Sequence, residues 1–513
     1  MNTLLPKQNR LESFWLSERD PSLSHVRSSE TLPTRADIVI VGSGISGALI
    51  AREIYAQWKE QGENEDADDL AYPTVVMLEA GETCGGATAR NGGHCKPLTY
   101  LGFRSESLKR GAKIANAMYD FEGSHLSRYV RIVQEEELDC DLVVTRAFDV
   151  LFDASDAENA KKDYDARRET FPESIRKGDV VSVEDPEELK RLSGVRGGKW
   201  GCHYPAGHLW PYKLATQLIQ KQLDKGMTLH TFTPVVSLEQ HLSSSSTMVV
   251  TSRGNITAKA VIIASNGYTA GILPEFKDRI IPVRGTACSV TPPSSHSLGC
   301  SPGPLKYTYG LRFRQGEMDY MIPRQGRGKI PGVGDRSIIL GGAKGCYLKD
   351  TESWYDNIHD DVEMPGAREY FQGYMRKHFV GWEGENDKGN VDQVWSGVLG
   401  YSSDLLPFVG EMPGREGIFI SAGFTGHGMP RIPACSEAIA HLVVSHVRTG
   451  RIQDSARAAF EGIIPQPYLL TRDRLDCEDN LILGAMGQVA SKTVTTAVDE
   501  LAGLQIAEEK ESY

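Results

Sequence analysis

One stretch near the start of the chain constrains the fold more than any other. The apolar run ADIVIV (36–41) is followed directly by GSGISG and then by ALIAREIYAQWKEQ, which has helical spacing. A second apolar run, PTVVMLEAG, ends at Glu79. Strand, glycine turn, helix and strand together make one βαβ unit. This unit predicts an α/β fold built on a parallel sheet.

The glycines of the turn have the spacing of a dinucleotide-binding motif. Gly42 permits a tight turn, Gly44 lets a pyrophosphate approach the backbone, and Gly47 lets helix and strand pack closely. Glu79, at the end of the next strand, stands where a ribose hydroxyl is hydrogen-bonded. Its carboxylate disfavours a 2′-phosphate, so a phosphorylated nicotinamide is not expected. The acidic loop 62–72 accounts for the long gap before Glu79.

A second glycine-rich loop, GGATARNGGH (85–94), follows soon after this carboxylate. A nicotinamide enzyme has no need of it, whereas FAD is longer and its ribityl chain and ring must lie against backbone. Glycine in such a cluster indicates close approach or unusual dihedral angles. Arg90 and Asn91 offer hydrogen-bond donors for phosphate or flavin. The two loops together predict FAD as the cofactor.

Size and composition narrow the class of protein. A chain of 513 residues predicts two or three domains. Its net charge of −12 argues against nucleic acid as a partner. The nine cysteines, with no CxxC pair, favour reduced thiols. The sequence lacks a signal peptide and an apolar run of about 18 residues, so we expect a cytoplasmic protein that is not embedded in a membrane.

Several motifs, taken together, resemble one known family. VGSGISG, LEAG and GGATARNGGH resemble the N-terminal part of the D-amino-acid oxidase-like FAD oxidoreductases. The second loop is similar to that of the branch with γ-glutamylputrescine oxidase, glycine oxidase and sarcosine oxidase. Further matching blocks reach residue 445, and they are AGHLWPYKL (206–214), TPVVSLE (233–239), VIIASNGYT (261–269), VWSGVLGYSSDLLPFVGEMP (394–413) and GIFISAGFTGHGMPRIP (417–433).

The resemblance implies a fold and a division into domains. The fold class is α/β, with a Rossmann-type FAD-binding domain and a substrate domain built on a mixed or antiparallel sheet. The FAD-binding domain takes 36–99, 200–285 and 396–464, and the substrate domain takes 100–199 and 286–395. Residues 1–35 form an N-terminal extension. Residues 465–513 form a helical tail.

The resemblance also implies a reaction. The family oxidises a C–N bond of an amine or amino acid by hydride transfer to flavin N5, and the imine product is then hydrolysed. The expected acceptor is molecular oxygen or another electron acceptor, and the sequence does not decide between an oxidase and a dehydrogenase. The alternative is a dehydrogenase or tailoring oxidoreductase that acts on another metabolite and uses a different acceptor. A flavin-binding scaffold without catalysis is a third reading. The sequence identifies neither the substrate nor the oligomeric state.

The matched motifs supply the expected cofactor-binding residues. Val235 or Val236 should meet the adenine through its backbone. The cluster 425–429 should hold negative charge near the flavin at a helix N-terminus. The full set is Gly42, Gly44, Ile45, Ser46, Gly47, Glu79, Ala80, Gly86, Ala87, Thr88, Arg90, Asn91, Gly92, Gly93, His94, Val236, Ser265, Gly267, Gly397, Gly423, Thr425, Gly426, His427, Gly428 and Met429.

The candidate catalytic residues surround the expected position of the flavin ring. His94 follows the second loop, and His427 is either a donor to the ring or a packing residue. Tyr320, Tyr401 and an arginine line the substrate side, where an arginine would bind a substrate carboxylate in a bidentate manner. The candidates for that arginine are Arg312, Arg314, Arg324 and Arg431, and nothing in the sequence chooses among them. Arg324, close to Tyr320 in DYMIPR, is also a candidate to line the substrate side.

Two further expectations concern the flavin itself. Lys306 and Lys344 are candidates for a lysine that activates oxygen. Arg90 and Leu399 stand where covalently flavinylated relatives carry the linking residue, so noncovalent FAD is expected.

Overall fold

The structure is a computed structural model of the chain. It describes residues 4–62, 71–176, 178–240, 246–292, 305–314, 316–324, 337–382 and 389–487. Part of the acidic loop 62–72 and most of the tail therefore lie outside the described residues. Within the described part of the tail, helices are short, as the bounds below show.

The strands form two sheets. In chain order they are β1 (Arg35–Val41), β2 (Val75–Leu78), β3 (His94–Cys95), β4 (Val143–Leu151), β5 (Val181–Val183), β6 (Trp200–His208), β7 (Thr228–His230), β8 (Val235–Gln240), β9 (Thr247–Thr251), β10 (Gly254–Ile263), β11 (Ile280–Thr291), β12 (Thr308–Arg314), β13 (Glu317–Pro323), β14 (Ile338–Gly341), β15 (Asn390–Ser402), β16 (Phe408–Glu411) and β17 (Ile418–Ala422).

The helices are α1 (Pro21–Ser24), α2 (Ile45–Gly62), α3 (Phe103–Arg110), α4 (Ala112–Gly123), α5 (His125–Glu135), α6 (Ala154–Thr170), α7 (Pro186–Ser193), α8 (Pro211–Leu223), α9 (Lys344–Tyr347), α10 (Ala367–Phe371), α11 (Tyr374–His378), α12 (Ile432–Thr449), α13 (Asp454–Ile463), α14 (Arg472–Asp476) and α15 (Ile482–Ala485). Most of the helices lie between these strands in the chain, whereas α1 precedes β1 and α12 to α15 follow β17.

The first sheet has a parallel centre. Its order is β16-β17-β10-β1-β2-β7, and β8 and β9 extend it beside β10. Strand β1 pairs in parallel with β10 on one side and β2 on the other. Its residues Ile38 and Ile40 belong to the core cluster that includes α2, α8 and α12 residues, whereas Val39 and Val41 belong to another cluster. Burial on both faces explains why β1 is apolar throughout.

The second sheet is mostly antiparallel. Its order is β15-β11-β14-β13-β12-β4-β6-β3, with β5 beside β6 and one parallel pair, β4 with β12. Its residues Ile322, Ile339 and Trp395 join the core cluster of α2, α8 and α12. The two sheets therefore share a core, and the predicted fold class is confirmed.

Parts of two segments pair in a different sheet from the one the sequence suggests. The sequence places residues 200–285 and 396–464 in the FAD-binding domain, yet β6, the start of β11 (280–285) and the end of β15 pair within the second sheet. Local apolar patterns indicate a strand without naming its partner, which explains the difference. The division into domains stays a prediction.

Three properties bear on the class of protein. No helix in the described ranges is long and apolar enough to span a membrane. The cysteines that the structure describes are free thiols. Across the same described residues, no group of three or more His, Cys, Asp or Glu side chains is placed to hold a metal ion.

Candidate functional site: a glycine-lined cleft

A cleft opens where the carboxyl ends of β1, β2 and β10 meet the second sheet. About 1270 Å³ of space free of protein atoms lies between its walls, part of it open to solvent. Three glycine-rich turns, which follow β1, β2 and β17, contribute main chain to its wall. Ligands of open α/β sheets bind at this edge, because strand ends and helix N-termini converge there.

In the first turn, Gly42 and Gly44 both line the cleft, but packing forbids a side chain at Gly42 and Gly47. Gly42 has a φ of +109°, and a Cβ there would lie 2.8 Å from the Ala264 carbonyl oxygen. A Cβ on Gly47 would lie 2.1 Å from the Gly42 oxygen. Gly44 lines the cleft, and its nearest neighbour would be the Thr88 hydroxyl at 3.0 Å. Gly42 and Gly47 are thus required by packing, and Gly44 leaves backbone open to a ligand.

Glu79 joins the first turn to the chain that follows β2. Its Oε2 accepts hydrogen bonds from the Ser43 backbone N–H at 3.0 Å and the Ser43 hydroxyl at 2.7 Å. Its Oε1 accepts one from the Gly81 N–H at 2.9 Å. These bonds fix the carboxylate while it lines the cleft beside Ala80.

The glycines of the second loop divide in the same way. Gly86 lines the cleft, with open space where a Cβ would stand. A Cβ on Gly92 would lie 2.3 Å from the Tyr320 ring, and one on Gly93 would lie 2.4 Å from the Leu209 carbonyl oxygen. Gly92 and Gly93 therefore let the loop pass beneath the second sheet and do not line the cleft.

Arg90 points away from the cleft. Its guanidinium donates to the carbonyl oxygens of Gly85 and Ser396, both at 3.1 Å, and lies 3.6 Å from Asp360. Gly397 gives this side chain room, because a Cβ there would lie 2.8 Å from the Arg90 Cβ. Arg90 thus holds the second loop to β15 and is not among the residues that line the cleft.

The third turn, after β17, is held by an asparagine. Asn266 Oδ1 accepts hydrogen bonds from the N–H groups of Gly423 at 3.0 Å and Phe424 at 3.3 Å. The Thr425 hydroxyl bonds to Ser402 at 3.0 Å. Of the predicted cluster, the cleft is lined by Gly426, Gly428 and Met429, and not by Gly423, Thr425 or His427.

His427 is paired with a buried carboxylate. Its Nε2 lies 2.8 Å from Oε2 of Glu122, whose other oxygen accepts from Arg431 at 2.8 Å. Burial alone would raise the pKa of Glu122, but His427 and Arg431 lower it to about 2. Sequence reasoning missed Glu122, because it lies on α4, far along the chain from its two partners.

His94 and Tyr320 meet the second sheet. His94 Nε2 lies 2.7 Å from the Thr308 hydroxyl, and burial lowers the pKa of His94 well below its usual range, so the ring is neutral. The half-buried Tyr320 ring lies between Gly92 and Gly341, where a Cβ would approach it to 2.3 and 2.0 Å. Tyr320 therefore covers the second loop at its junction with the sheet.

Three of the four candidate arginines are committed to other partners. Arg324 is buried, donates to Asp141 at 2.7 Å and lies over the rings of Phe14, Trp15 and Trp210. Arg324 is therefore a core residue that holds Asp141 and does not line the cleft, contrary to the catalytic position predicted for it. Arg431 is bound to Glu122, and Arg314 is exposed and paired with Glu317.

Arg312 is the remaining arginine, and it is half-buried on β12. Its Nε lies 3.9 Å from Asp149, too far for a hydrogen bond.

Of the two lysine candidates, Lys306 is exposed. Burial lowers the pKa of Lys344 to about 8. Tyr401 is buried beside Gly426, where a Cβ would lie 3.0 Å from its hydroxyl.

Of the two valines predicted to meet the adenine, Val235 lines the cleft, whereas Val236 is 46% exposed. Other cleft residues are not predicted from the sequence. Tyr268 lines the cleft from the turn after β10. The largest omission is the N-terminal segment, which contributes Leu4, Leu5, Pro6 and Arg10. Its one sequence signal is the aromatic pair in ESFWL, which stands out in a polar stretch.

The cleft fits FAD. Gly44 and Gly86 leave room for a ligand against main chain, and Glu79 offers a carboxylate. Within the described part of the chain, the buried Tyr268 hydroxyl and Arg10 Nε make no hydrogen bond, so both are available to a ligand. A diphosphate with two sugar-like chains uses such groups.

Comparisons with known proteins agree with this geometry. The family model described as FAD dependent oxidoreductase (DAO) matches residues 37–442. Glycine oxidase of Geobacillus kaustophilus is 23% identical over 80% of this chain and 93% of its own length. Gamma-glutamylputrescine oxidoreductase of Escherichia coli is 22% identical over 79% and 83%.

A solved structure shares the fold. The crystal structure of glycine oxidase from Geobacillus kaustophilus superposes with a TM-score of 0.60 and 19% identity, and covers 86% of this chain and 99% of that one. The family match spans well over half of the chain. The chain therefore belongs to the FAD-dependent oxidoreductase family named DAO, and FAD is its cofactor.

Proposed function

We propose that this protein oxidises a C–N bond of an amine or amino acid and releases an imine that water hydrolyses. The observation that carries the proposal is the position of Tyr320, a side chain of the second sheet that covers the loop predicted to run beside the flavin. Substrate held on this face of the sheet would lie next to the cofactor. Bound FAD supplies the oxidising power by accepting a hydride equivalent.

The same sheet face offers groups for a substrate. Thr308, Gly310 and Arg312 alternate along β12 and so share one face, and Gly310 pairs with Tyr320 on β13. Arg312 is the candidate for binding a substrate carboxylate, because its partner Asp149 is already bonded. Lys96 lies 2.9 Å from Asp149, and the Tyr204 hydroxyl donates to it at 2.7 Å.

Relatives indicate the substrate class. The curated relatives include proteins named glycine oxidase and gamma-glutamylputrescine oxidoreductase. One structural neighbour is named iminodiacetate oxidase, with 16% identity and a TM-score of 0.58. These names share a nitrogen next to an oxidisable carbon. We propose noncovalent FAD, oxygen as the acceptor and the cytoplasm as the location.

The test is anaerobic mixing of the purified protein with a panel of amines and amino acids. Bleaching of the flavin absorbance by one compound identifies the substrate. Fast oxygen consumption with that compound then supports an oxidase, whereas slow oxygen consumption with fast reduction of an artificial acceptor supports a dehydrogenase. A protein that binds FAD but is bleached by no amine or amino acid would overturn the proposed substrate class.

A further inference from the structure

The N-terminal segment Leu4–Trp15 lies outside the family match but crosses the cofactor cleft. Leu4, Leu5, Pro6 and Arg10 line the cleft. At its start, the segment is held against the turn after β10, where a Cβ on Gly271 would lie 2.8 Å from the Leu4 carbonyl oxygen. The segment therefore forms part of the cleft wall.

The segment is hydrogen-bonded to the second glycine-rich loop. The Trp15 indole N–H donates to the Asn91 carbonyl oxygen at 2.5 Å, and the Ser13 hydroxyl donates to the Ala89 carbonyl oxygen. Leu11 N–H donates to the Asp360 carbonyl oxygen at 3.0 Å. The bonds from Trp15 and Ser13 hold the second loop by its backbone, and the bond from Leu11 holds the segment to Asp360.

Aromatic packing anchors this end of the segment. Trp15 is fully buried, and its carbonyl oxygen accepts a hydrogen bond from the Trp210 indole at 2.8 Å. Phe14 packs against both tryptophans with ring centroids 5.3 and 5.1 Å away. Because Trp15 is anchored and only four residues separate it from Arg10, Arg10 is held next to the cleft.

Arg10 supplies positive charge to the cleft. Arg10 and Glu79 are the charged side chains among the described residues that line it. The Arg10 side chain is 7% exposed, and its guanidinium nitrogens would lie 3.2 and 3.7 Å from a Cβ on Gly85 and Gly81. Arg10 is therefore buried beside the glycine chain that connects Glu79 to Gly86.

The charge on Arg10 is only partly neutralised. Its Nε lies 3.5 Å from Asp360 Oδ2, and Arg90 lies 3.6 Å from the same oxygen. One carboxylate thus serves two guanidinium groups. Glu82 is also near, but it pairs with Arg19 at 3.5 Å. The Nε of Arg10 is buried and makes no hydrogen bond, which costs free energy unless a ligand supplies an acceptor.

We propose that Leu4–Trp15 is a clamp for FAD and that Arg10 pairs with its diphosphate. The diphosphate is the anionic part of FAD, and the glycine turns offer it only neutral N–H donors. A guanidinium beside those turns adds a charge-assisted hydrogen bond. Bound FAD in turn holds Arg10 and the segment in place. This rests on FAD as the cofactor and not on the proposed substrate.

The experiment compares Arg10→Gln with Lys7→Gln. Both variants remove one positive charge from the same segment, but Lys7 does not line the cleft. The FAD dissociation constant is measured from flavin fluorescence during reconstitution of the apoprotein, at low and high salt. We expect binding to weaken at least 10-fold for Arg10→Gln, with a smaller salt dependence, and to be unchanged for Lys7→Gln. Arg10→Lys should recover part of the loss.

Two outcomes would overturn the proposal. One is unchanged FAD affinity in Arg10→Gln. The other combines two results: Arg10→Gln lowers the melting temperature of the apoprotein, and its FAD affinity equals that of Arg10→Lys. That combination would mean that Arg10 contributes only to the stability of the fold.

A second measurement uses the wild-type chain. Trypsin cleaves after Lys7 and Arg10, and a clamp closed by FAD should resist it. We expect FAD to slow cleavage at both sites at least several-fold relative to the apoprotein. Equal cleavage rates with and without FAD would contradict the clamp even if a variant failed to fold.

Discussion

At the scale of single residues, glycines of one motif perform different tasks. Gly42 and Gly47 have no space for a Cβ because backbone atoms lie 2.8 and 2.1 Å from its position. Gly44 and Gly86 face the cleft. Gly42 and Gly47 are needed for the chain to pack, whereas Gly44 and Gly86 leave room for the cofactor. Substitutions should therefore separate folding from FAD binding.

Gly44→Val should give a folded protein without bound flavin. The Cβ would meet only the Thr88 hydroxyl, at 3.0 Å, which can shift, but the γ-methyl groups would occupy the cleft. Flavin absorbance and far-UV circular dichroism measure the two effects. By contrast, Gly47→Ala should fail to fold, because its Cβ would overlap the Gly42 oxygen. Stoichiometric flavin in Gly44→Val would contradict the placement of the diphosphate.

Gly92→Ala should impair turnover more than FAD binding. The new methyl group would push the Tyr320 ring, 2.3 Å away, out of its position between two glycines. We expect kcat/KM to fall by on the order of 10-fold or more, because small displacements of positioning groups are costly. Tyr320→Phe is the matched control, since it keeps the ring and removes the hydroxyl. If Gly92→Ala kept the wild-type kcat/KM, the proposal that Tyr320 lies next to the substrate would be wrong.

At the scale of elements, Asn266 connects the turns after β10 and β17. Its φ of +45° is in the left-handed region, which asparagine tolerates better than most residues. Its side chain accepts two backbone N–H bonds from the turn after β17, and a Cβ on Gly400 of β15 would lie 2.6 Å from it. One side chain thus fixes the relative positions of three strand ends.

Asn266→Ala should lower the free energy of unfolding by about 2–3 kcal/mol, because two buried N–H groups lose their acceptor and φ becomes unfavourable. Chemical denaturation of the apoprotein measures the loss. Asn266→Gly is the control, since it relieves the backbone and still lacks the acceptor, so we expect an intermediate loss. Wild-type stability in Asn266→Gly would show that these hydrogen bonds contribute nothing.

A bulge in β8 decides which valine reaches the cleft. The pairing of β8 with β9 shifts between Val235 and Ser237, so alternation along the strand is broken there. Val235 faces the core, and Val236 faces solvent. The sequence offers two adjacent valines and no signal for the bulge, so it cannot choose between them.

At the scale of the whole molecule, buried ionisable groups connect the two sheets and the helices that cover them. His208 ends β6 beside Arg324 and Asp141, and burial followed by Arg324 lowers its pKa to about 3. Glu122 binds α4 to the turn before α12. Both groups make the free energy of unfolding depend on pH, and each acts over a different pH range.

Stability should fall as the pH drops from 7 to 5. The unfolded chain protonates His208 near its usual pKa of 6.5, whereas the folded chain does so only near pH 3. Between pH 7 and 5 the unfolded state binds more protons than the folded state. Each such histidine therefore lowers the free energy of unfolding by up to about 1.4 kcal/mol for each pH unit of acidification. Denaturation of wild type and His208→Gln at both pH values measures this, and we expect a shallower slope for the variant. Equal slopes would show that His208 is charged in the folded protein.

The carboxylate acts in a lower window. Glu122 has a folded pKa of about 2, below its usual 4.5, so its contribution is complete above pH 4.5 and is lost as the pH falls towards 2. The decline between pH 7 and 5 therefore belongs to histidines.

The sequence by itself determined the βαβ unit, the glycine turns, the carboxylate after β2, the family and FAD. Each of these features depends on a short run of neighbouring residues, or, for the family, on several such runs. Within a short run, the steric limits of the backbone and the periodicity of burial determine which residue types occur. The motif from Gly42 to Gly47 is an example, because six consecutive residues specify the turn between β1 and α2.

Only the tertiary structure decided the sheet to which β6 and β15 belong, the pairing of Arg324 with Asp141, the pairing of His427 with Glu122 and the entry of Leu4–Arg10 into the cleft. These contacts join residues far apart in the chain. A charged or apolar side chain is satisfied by whichever partner the fold brings near it, and that partner leaves no trace in the neighbouring sequence.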